Sequence, residues 1–213
     1  MYITDKSAWI GAAKSPTAFQ ARLHMTIEGK KLMIDLPLEF RKTDPVRGEV
    51  ITPFHILPEA TLQLEAPVFL FATDQSRKVK VSVKNLGPVV AGTLELETPK
   101  SWEVSPKSVE VSISGKGNEN DYYFDIKAPS ETTVGQLKPL LLTQSKKLQA
   151  TLQEIAYDHI PKQFLISPAA SKVVAISLKT GLQKVAYIEG AGDNIPQSLT
   201  PLGIEVEVLK ANN

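Results

Sequence analysis

Cysteine is absent from the 213-residue chain. That excludes disulfides, thiolate nucleophiles and cysteine metal sites together, and leaves core packing to hold whatever fold forms. Histidine is scarce: His24, His55 and His159 stand in three separate stretches, without the short spacing that puts two ligands on one element. Long apolar runs are missing too. The run Val68–Ala72 is typical of what there is, far below the roughly 20 residues that cross a bilayer as a helix, so membrane insertion is not expected. The opening MYITDKSAWIGAAKS has neither the basic start nor the apolar block of an export signal. Net charge is only +1, and no stretch departs from balance: eight basic against seven acidic residues in 1–60, eleven against eleven in 61–157, five against five in 158–213. A nucleic-acid partner is therefore not expected, because displacing counterions from phosphates takes a concentrated basic face. With no Gly-x-Ser-x-Gly elbow either, no catalytic or metal-binding residue is assigned, and no cofactor is expected.

What the chain does have is period-two alternation. RKVKVSVK over 77–84 sends Val79, Val81 and Val83 to one face and Lys78, Lys80, Ser82 and Lys84 to the other. The lysine side reads as a solvated surface that discourages edge pairing. Asn85-Leu86-Gly87-Pro88 supplies turn chemistry, after which Leu94 and Leu96 alternate with Glu95 and Glu97. Val109, Val111 and Ile113, then Tyr122, Phe124 and Ile126, repeat the pattern. Strands at this spacing predict an antiparallel β-sandwich over 61–157. Leu148, Leu152 and Ile155 fit a helical spacing as well as a strand, and the regular strand count before them favours β. Residues 1–60 read as a β-rich layer or small domain, with strands over 19–29, 30–41 and 49–57 broken at Asp44-Pro45 and Leu57-Pro58, since proline lacks a ladder donor.

In 158–213 the pattern changes to strand, glycine loop, short helix and strand. Residues 184–189 give the first strand, Gly190-Ala191-Gly192 the loop, Asp193 or Asn194 the cap, Pro196 a first-turn residue, Gly203 the stop and 204–209 the second strand. The expectation is a truncated α/β unit of βαβ type, its helix shortened by Pro201 to one or two turns. Parallel strands seldom leave a face uncovered, so this unit is expected to bury Val185, Tyr187, Val206 and Val208 on the β domains or in a homo-oligomer. Its glycines invite comparison with a phosphate cradle, but Gly190-x-Gly192-x-x-Ile195 lacks the third glycine and puts Asp193 where an anion would sit. The contact candidates are accordingly Tyr157, Asp158, His159, Gly190, Gly192 and Asp193, as interface or ligand residues. Trp9, Trp102, Tyr122 and Tyr123 are the aromatics suited to stacking on a sugar, with Trp102 better placed to fill the core. Arg47 and Glu49 read first as a local ion pair.

The run from Val79 to Pro129 resembles the immunoglobulin-like domain called NPCBM-associated: Asn85 and Gly87 match its Asn-x-Gly turn, Pro99, Trp102 and Pro106 its tryptophan-led strand, and Phe124, Ile126 and Pro129 its late strand. Lys100-Ser101 departs from the glycine that family prefers before Trp102. PLEFRKTDPVRGEVITPFHILP, the immunoglobulin-like piece, YDHIP and GAGD, in that order, resemble the region following the catalytic domain in large bacterial PIG-L (LmbE-like) deacetylases. The resemblance implies a non-catalytic accessory region with carbohydrate or the parent's catalytic domain as partner, and a secreted or periplasmic setting. The Ala-His-Pro-Asp-Asp type zinc motif of that catalytic domain is missing from this sequence, so its chemistry is carried onto no residue. The relatives also imply the alternative, that 158–213 opens a glutamine-amidotransferase-like α/β enzyme domain with β-sandwich appendages.

Overall fold

The computed structural model describes residues 19–157, 159–160, 162–177, 181, 183–188, 190, 195–200 and 203–209. The chain divides into two compact units, a smaller one of residues 1–57 with 153–165 and a larger one of residues 58–152 with 166–213.

In the smaller unit, β1 (Gln20–Ile27) and β2 (Lys30–Pro37) form one antiparallel hairpin, and β3 (Glu39–Asp44) and β4 (Gly48–Pro53) form another. Glu28 and Gly29, at φ of 50° and 76°, turn the first of these. Its register puts Leu23, Met25 and Ile27 on one face with Leu32, Ile34 and Leu36, while Arg22 meets Asp35 across the strands at 2.6 Å on the other. None of the described residues in 19–57 or 153–165 is fully buried. The described residues 20–53 thus form two two-stranded ribbons, each of a kind that is marginal by itself.

The larger unit holds β5 (Ala60–Leu64), β6 (Val68–Ala72), β7 (Ser76–Asn85), β8 (Val89–Glu97), β9 (Glu103–Ser105), β10 (Ser108–Ser114), β11 (Glu119–Lys127), β12 (Thr133–Leu142) and β13 (Lys147–Leu148). A hairpin of β14 (Ala150–Ile155) and β15 (Gln163–Pro168) carries the chain into the 153–165 stretch and back, and β16 (Ser171–Ile176) follows. Two sheets result, ordered β5-β7-β11-β9 and β10-β8-β12-β16-β6, with β13 paired to β12. The fold is mainly β, a sandwich in which β16 and β6 run parallel while the register of the other ladders is antiparallel. The stretch around Leu152 and Ile155 is strand, as the count favoured.

Alternation explains the core. Val79, Val81 and Val83 of β7, Leu94 and Leu96 of β8, Val111 and Ile113 of β10, and Phe124 and Ile126 of β11 are all buried. Removing each such side chain from water contributes about 1.5–3 kcal/mol, and Phe69 and Phe71 add the larger aromatic areas. Trp102 fills the core as expected. It meets Phe71 edge to face at 4.9 Å, and its Nε1–H donates to Thr133 Oγ1 at 3.1 Å, which satisfies the one polar atom of the indole.

The boundary drawn at 157 does not coincide with the sandwich. β16 lies beyond it yet sits between β12 and β6, with Val173 and Ala175 fully buried. β12 itself contains Pro139, a residue that disfavours interior strands. Its ladder with β16 ends at Leu137 and that with β13 begins at Leu141, so Pro139, opposite Leu96 of β8, falls in the gap between them.

Beyond β16, β17 (Lys184–Ile188) and β18 (Glu205–Leu209) pair in parallel, with the five-residue α1 (Ile195–Leu199) in the connection. Gly203, at φ 80°, donates its N–H to the Thr200 carbonyl at 3.0 Å. Of the residues expected to be buried here, Val185, Tyr187 and Val206 are half-buried and Val208 is exposed.

Gly92 marks a close approach of backbone to backbone. A Cβ on Gly92 would overlap the carbonyl oxygen of Leu142 in the neighbouring strand. Gly92→Ala is expected to lower stability by about 1–3 kcal/mol, the usual cost of forcing an atom into packed structure. Urea unfolding of the two proteins checks it, and an unchanged midpoint would show that the β8–β12 ladder is not packed this tightly.

Candidate functional site

The described concavity of the smaller unit is built by the β3–β4 hairpin and the segment around Tyr157. Asp44 ends β3 and organises the turn: its Oδ1 accepts the backbone N–H groups of Val46 and Arg47, both at 2.9 Å, and Gly48 follows at φ 74°. Those two hydrogen bonds, the Arg47 one first, hold the Asp44 carboxyl below its ordinary value, with a smaller contribution from the charges of Lys42 and Arg47. Arg47 is thereby presented at a defined corner. Lys42, Val50 and Thr52 lie on one face of the hairpin, because Lys42 is opposite Val50 and Phe40 opposite Thr52 in the register.

Facing them is the chain between β14 and β15. The N–H of Ile160 donates to the Tyr157 carbonyl at 3.2 Å, closing a turn that brings the Tyr157 and His159 rings to 5.8 Å with planes 31° apart. Together these elements enclose an open groove of about 690 Å³, completed by Glu49, Ile51, Ala156, Ile160 and Lys162. Glu49 meets Arg41 at 3.5 Å, and Lys162 meets Glu154 at 2.5 Å. Both pairs are solvent-exposed and of the weak surface kind.

The structure therefore brings together Tyr157 and His159 from the candidate set, and adds Lys42, Val50, Thr52 and Lys162, which sequence reading did not single out. Glu49 pairs with Arg41. Gly190 is exposed in the loop after β17 and belongs to the larger unit. Asp158, Gly192, Asp193 and Trp9 lie outside the described residues. Tyr122 packs against the core, and Tyr123 points outward from β11. His55 is half-buried, edge to face with Phe164 at 4.8 Å, and its Nε2 is buried without a hydrogen-bond partner. Among the described residues, no group of three His, Asp or Glu side chains is arranged to hold a metal ion.

The lysine face of β7 is balanced across the sheet. Lys84 is opposite Glu119 and Lys78 opposite Asp125, while Asp121 accepts hydrogen bonds from Ser82 at 2.5 Å and Lys80 at 3.2 Å. Both bonds lower the Asp121 pKa, Ser82 the more. Asp44 and Asp121 thus share a sign. A depressed folded pKa gives stabilisation that is complete above the ordinary carboxylate value and is lost as pH falls through the lower folded value. The melting temperature is expected to fall more between about pH 5 and about pH 2 in the parent protein than in Asp121→Asn, which cannot titrate there. Equal slopes would show that Asp121 carries no such linkage.

No family model matches the chain, and no curated protein does. Among solved structures, it is similar to an alpha-2-macroglobulin of E. coli, with a TM-score of 0.41 at 12% identity over 83% of this chain and 11% of that one. It is also similar to a family 123 glycoside hydrolase from Clostridium perfringens, with a TM-score of 0.32 at 8% identity over 62% of this chain and 30% of that one. The chain thus spans less than a third of either protein, and likenesses at these scores carry no functional argument.

Proposed function

We propose that this chain is a non-catalytic β-sandwich accessory region associated with a PIG-L-type sugar deacetylase, serving domain docking and weak glycan contact. The observation that supports this most is the groove of the smaller unit. It exposes an aromatic ring, Tyr157, beside hydrogen-bonding side chains of both kinds and apolar residues such as Val50 and Ile160. Amphipathic lining of that sort suits a ligand with an apolar ring face and a hydroxylated edge. The positions behind the family resemblance are also accounted for structurally: Asn85 and Gly87 form a turn, and Trp102, Phe124 and Ile126 fill the core. This leaves the contact surface, not the sandwich interior, as the place for function.

The test is a titration of the purified chain with an N-acetylglucosamine oligosaccharide, following acetate release and binding together. Binding near a millimolar Kd, equivalent to about −4 kcal/mol, without acetate release above the blank is the expected result. Acetate release abolished by a chelator would overturn the reading.

A further inference from the structure

We infer that β10 is a self-pairing edge, through which two copies of this chain join across a two-fold axis into one continuous sheet. The two sheets of the larger unit end on β5 and β9 and on β10 and β6. β9 has three residues and runs into Pro106, while β5 and β6 have five each and are entered through Pro58 and Pro67. β5 is also tied to the chain that follows β12, with Lys146 paired to Glu59 and Thr151 donating to Gln63. Short length, proline and a covering segment are ordinary means of keeping an edge from pairing. β10 has none of them: its seven residues contain no proline or lysine, and its ladder with β8 runs from Ser108 opposite Glu95 to Ser114 opposite Val89 without a bulge.

Two hydrogen bonds fix which backbone groups of β10 face away from β8. Gly115 donates its N–H to the Pro88 carbonyl, on the β8 side, whereas the Ser114 carbonyl accepts from the Asn118 side chain in the turn to β11. The N–H and C=O groups of an antiparallel strand change sides from one residue to the next, so Ser108, Glu110 and Ser112 turn theirs to the open edge. Among the described residues, no strand pairs with that edge at Glu110 and Ser112. The Glu110 carboxylate leans back over β8, accepting from Thr93 Oγ1 at 3.0 Å, and the side chains that share its face are serines, small enough to admit a second strand.

The strand matches its own reverse in one register. Antiparallel pairing centred on Val111 sets Glu110 of each copy opposite Ser112 of the other, the two exchanging N–H···O=C bonds, with Val109 opposite Ile113 on the core face. Centring on Glu110 sets the two carboxylates opposite each other, which destabilises the pair. Centring on Val109 sets Ser112 against Pro106, which has no donor, and centring on Ser112 sets Glu110 against Ser114, whose carbonyl Asn118 already holds. A slip by one residue turns the apolar face outward. This self-complementarity selects a second copy as the occupant, and a two-fold contact closes at the dimer. Val109, partly buried against the core, is covered by the same contact.

The experiment is sedimentation velocity on the full chain over a concentration series reaching the millimolar range, with amide hydrogen exchange at both ends of the series. A reversible dimer is expected, weak because the contact is small, and the Glu110 and Ser112 amides should gain protection as it forms. Ser112→Pro should abolish the dimer. Because that N–H faces solvent in the single chain, the melting temperature of the dilute protein should stay at the parent value. Ser112→Lys should tighten the dimer by about threefold or more at low salt, since each new lysine faces Glu110 of the other copy. A chain that stays monomeric throughout would overturn the proposal, and so would a dimer that survives Ser112→Pro. Ser112→Lys leaving the dimer unchanged or weaker would overturn the register and the self-complementarity with it. Protection of the β10 amides that appears only with an added synthetic strand peptide of unrelated sequence would overturn the second copy as the occupant.

Discussion

Val81→Asp is expected to abolish folding. Val81 is fully buried in β7, an interior strand of its sheet, and lies between Leu64 of β5 and Tyr122 of β11 in the register. An ionised carboxylate there would lose its hydration among valine, leucine and phenylalanine side chains, and an unpaired buried charge costs several kcal/mol even after its pKa has risen to escape ionisation. Total stability of a domain this size is about 5–15 kcal/mol, so the substitution consumes much or all of it. Val81→Ala only deletes methyl groups and should melt cooperatively, with a loss of roughly 1–3 kcal/mol. The amide NMR spectrum of Val81→Asp should lose its dispersion. A Val81→Asp protein with the parent melting temperature would mean that β7 faces the other way.

The second large effect is expected at Asn85, which is buried without being apolar. Its Nδ2 donates to the carbonyls of Ile113 and Gly115, both at 3.1 Å, and its Oδ1 accepts the Gly87 N–H at 2.9 Å. Its own backbone completes the junction, donating to Asn118 at 2.8 Å and accepting from Gly117 at 2.7 Å. One side chain therefore ties the β7–β8 turn to the β10–β11 turn. Asn85→Ala leaves three backbone groups without their partner, for an expected loss of about 3–5 kcal/mol at the cost of an unmade bond in partly buried surroundings. Asn85→Asp keeps the shape and the Gly87 bond but turns two donor contacts into carboxylate–carbonyl repulsion, and it should be at least as damaging at neutral pH. Chemical denaturation of the three proteins measures the ranking. A near-neutral Asn85→Ala would show that solvent replaces the side chain in this junction.

These two positions also show how much of the fold the sequence makes legible. The alternation around Val81 needs only neighbours in sequence, because a strand with one face in the core repeats every two residues. The Asn85-x-Gly87 turn is readable for the same reason, since the side chain bonds the amide two residues on. Long-range pairing is not written locally. SKVVAI over 171–176 has the apolar density of a buried strand, and nothing in it names β12 and β6 as its neighbours. That is why the sandwich reaches past 157. Pro139 conceals β12 because the ladder gap that tolerates it is set by where β16 stops and β13 starts. In the groove, Tyr157 and His159 stand out as a pair of rings two residues apart, but Lys42 and Lys162 look like ordinary surface lysines until the turn fixed by Asp44 and the Tyr157–Ile160 turn place them around one volume.

The most direct test of a non-catalytic contact at that groove is a single NMR titration of the isotope-labelled full chain with an N-acetylated oligosaccharide, recording protein amides and free acetate in the same sample. Shifts are expected at Val50, Ile51, Tyr157 and His159, with unmoved amides along β7 and β11 and no growth of the acetate signal. Shifts centred on the sandwich or on Gly190, or acetate accumulating with time, would contradict it.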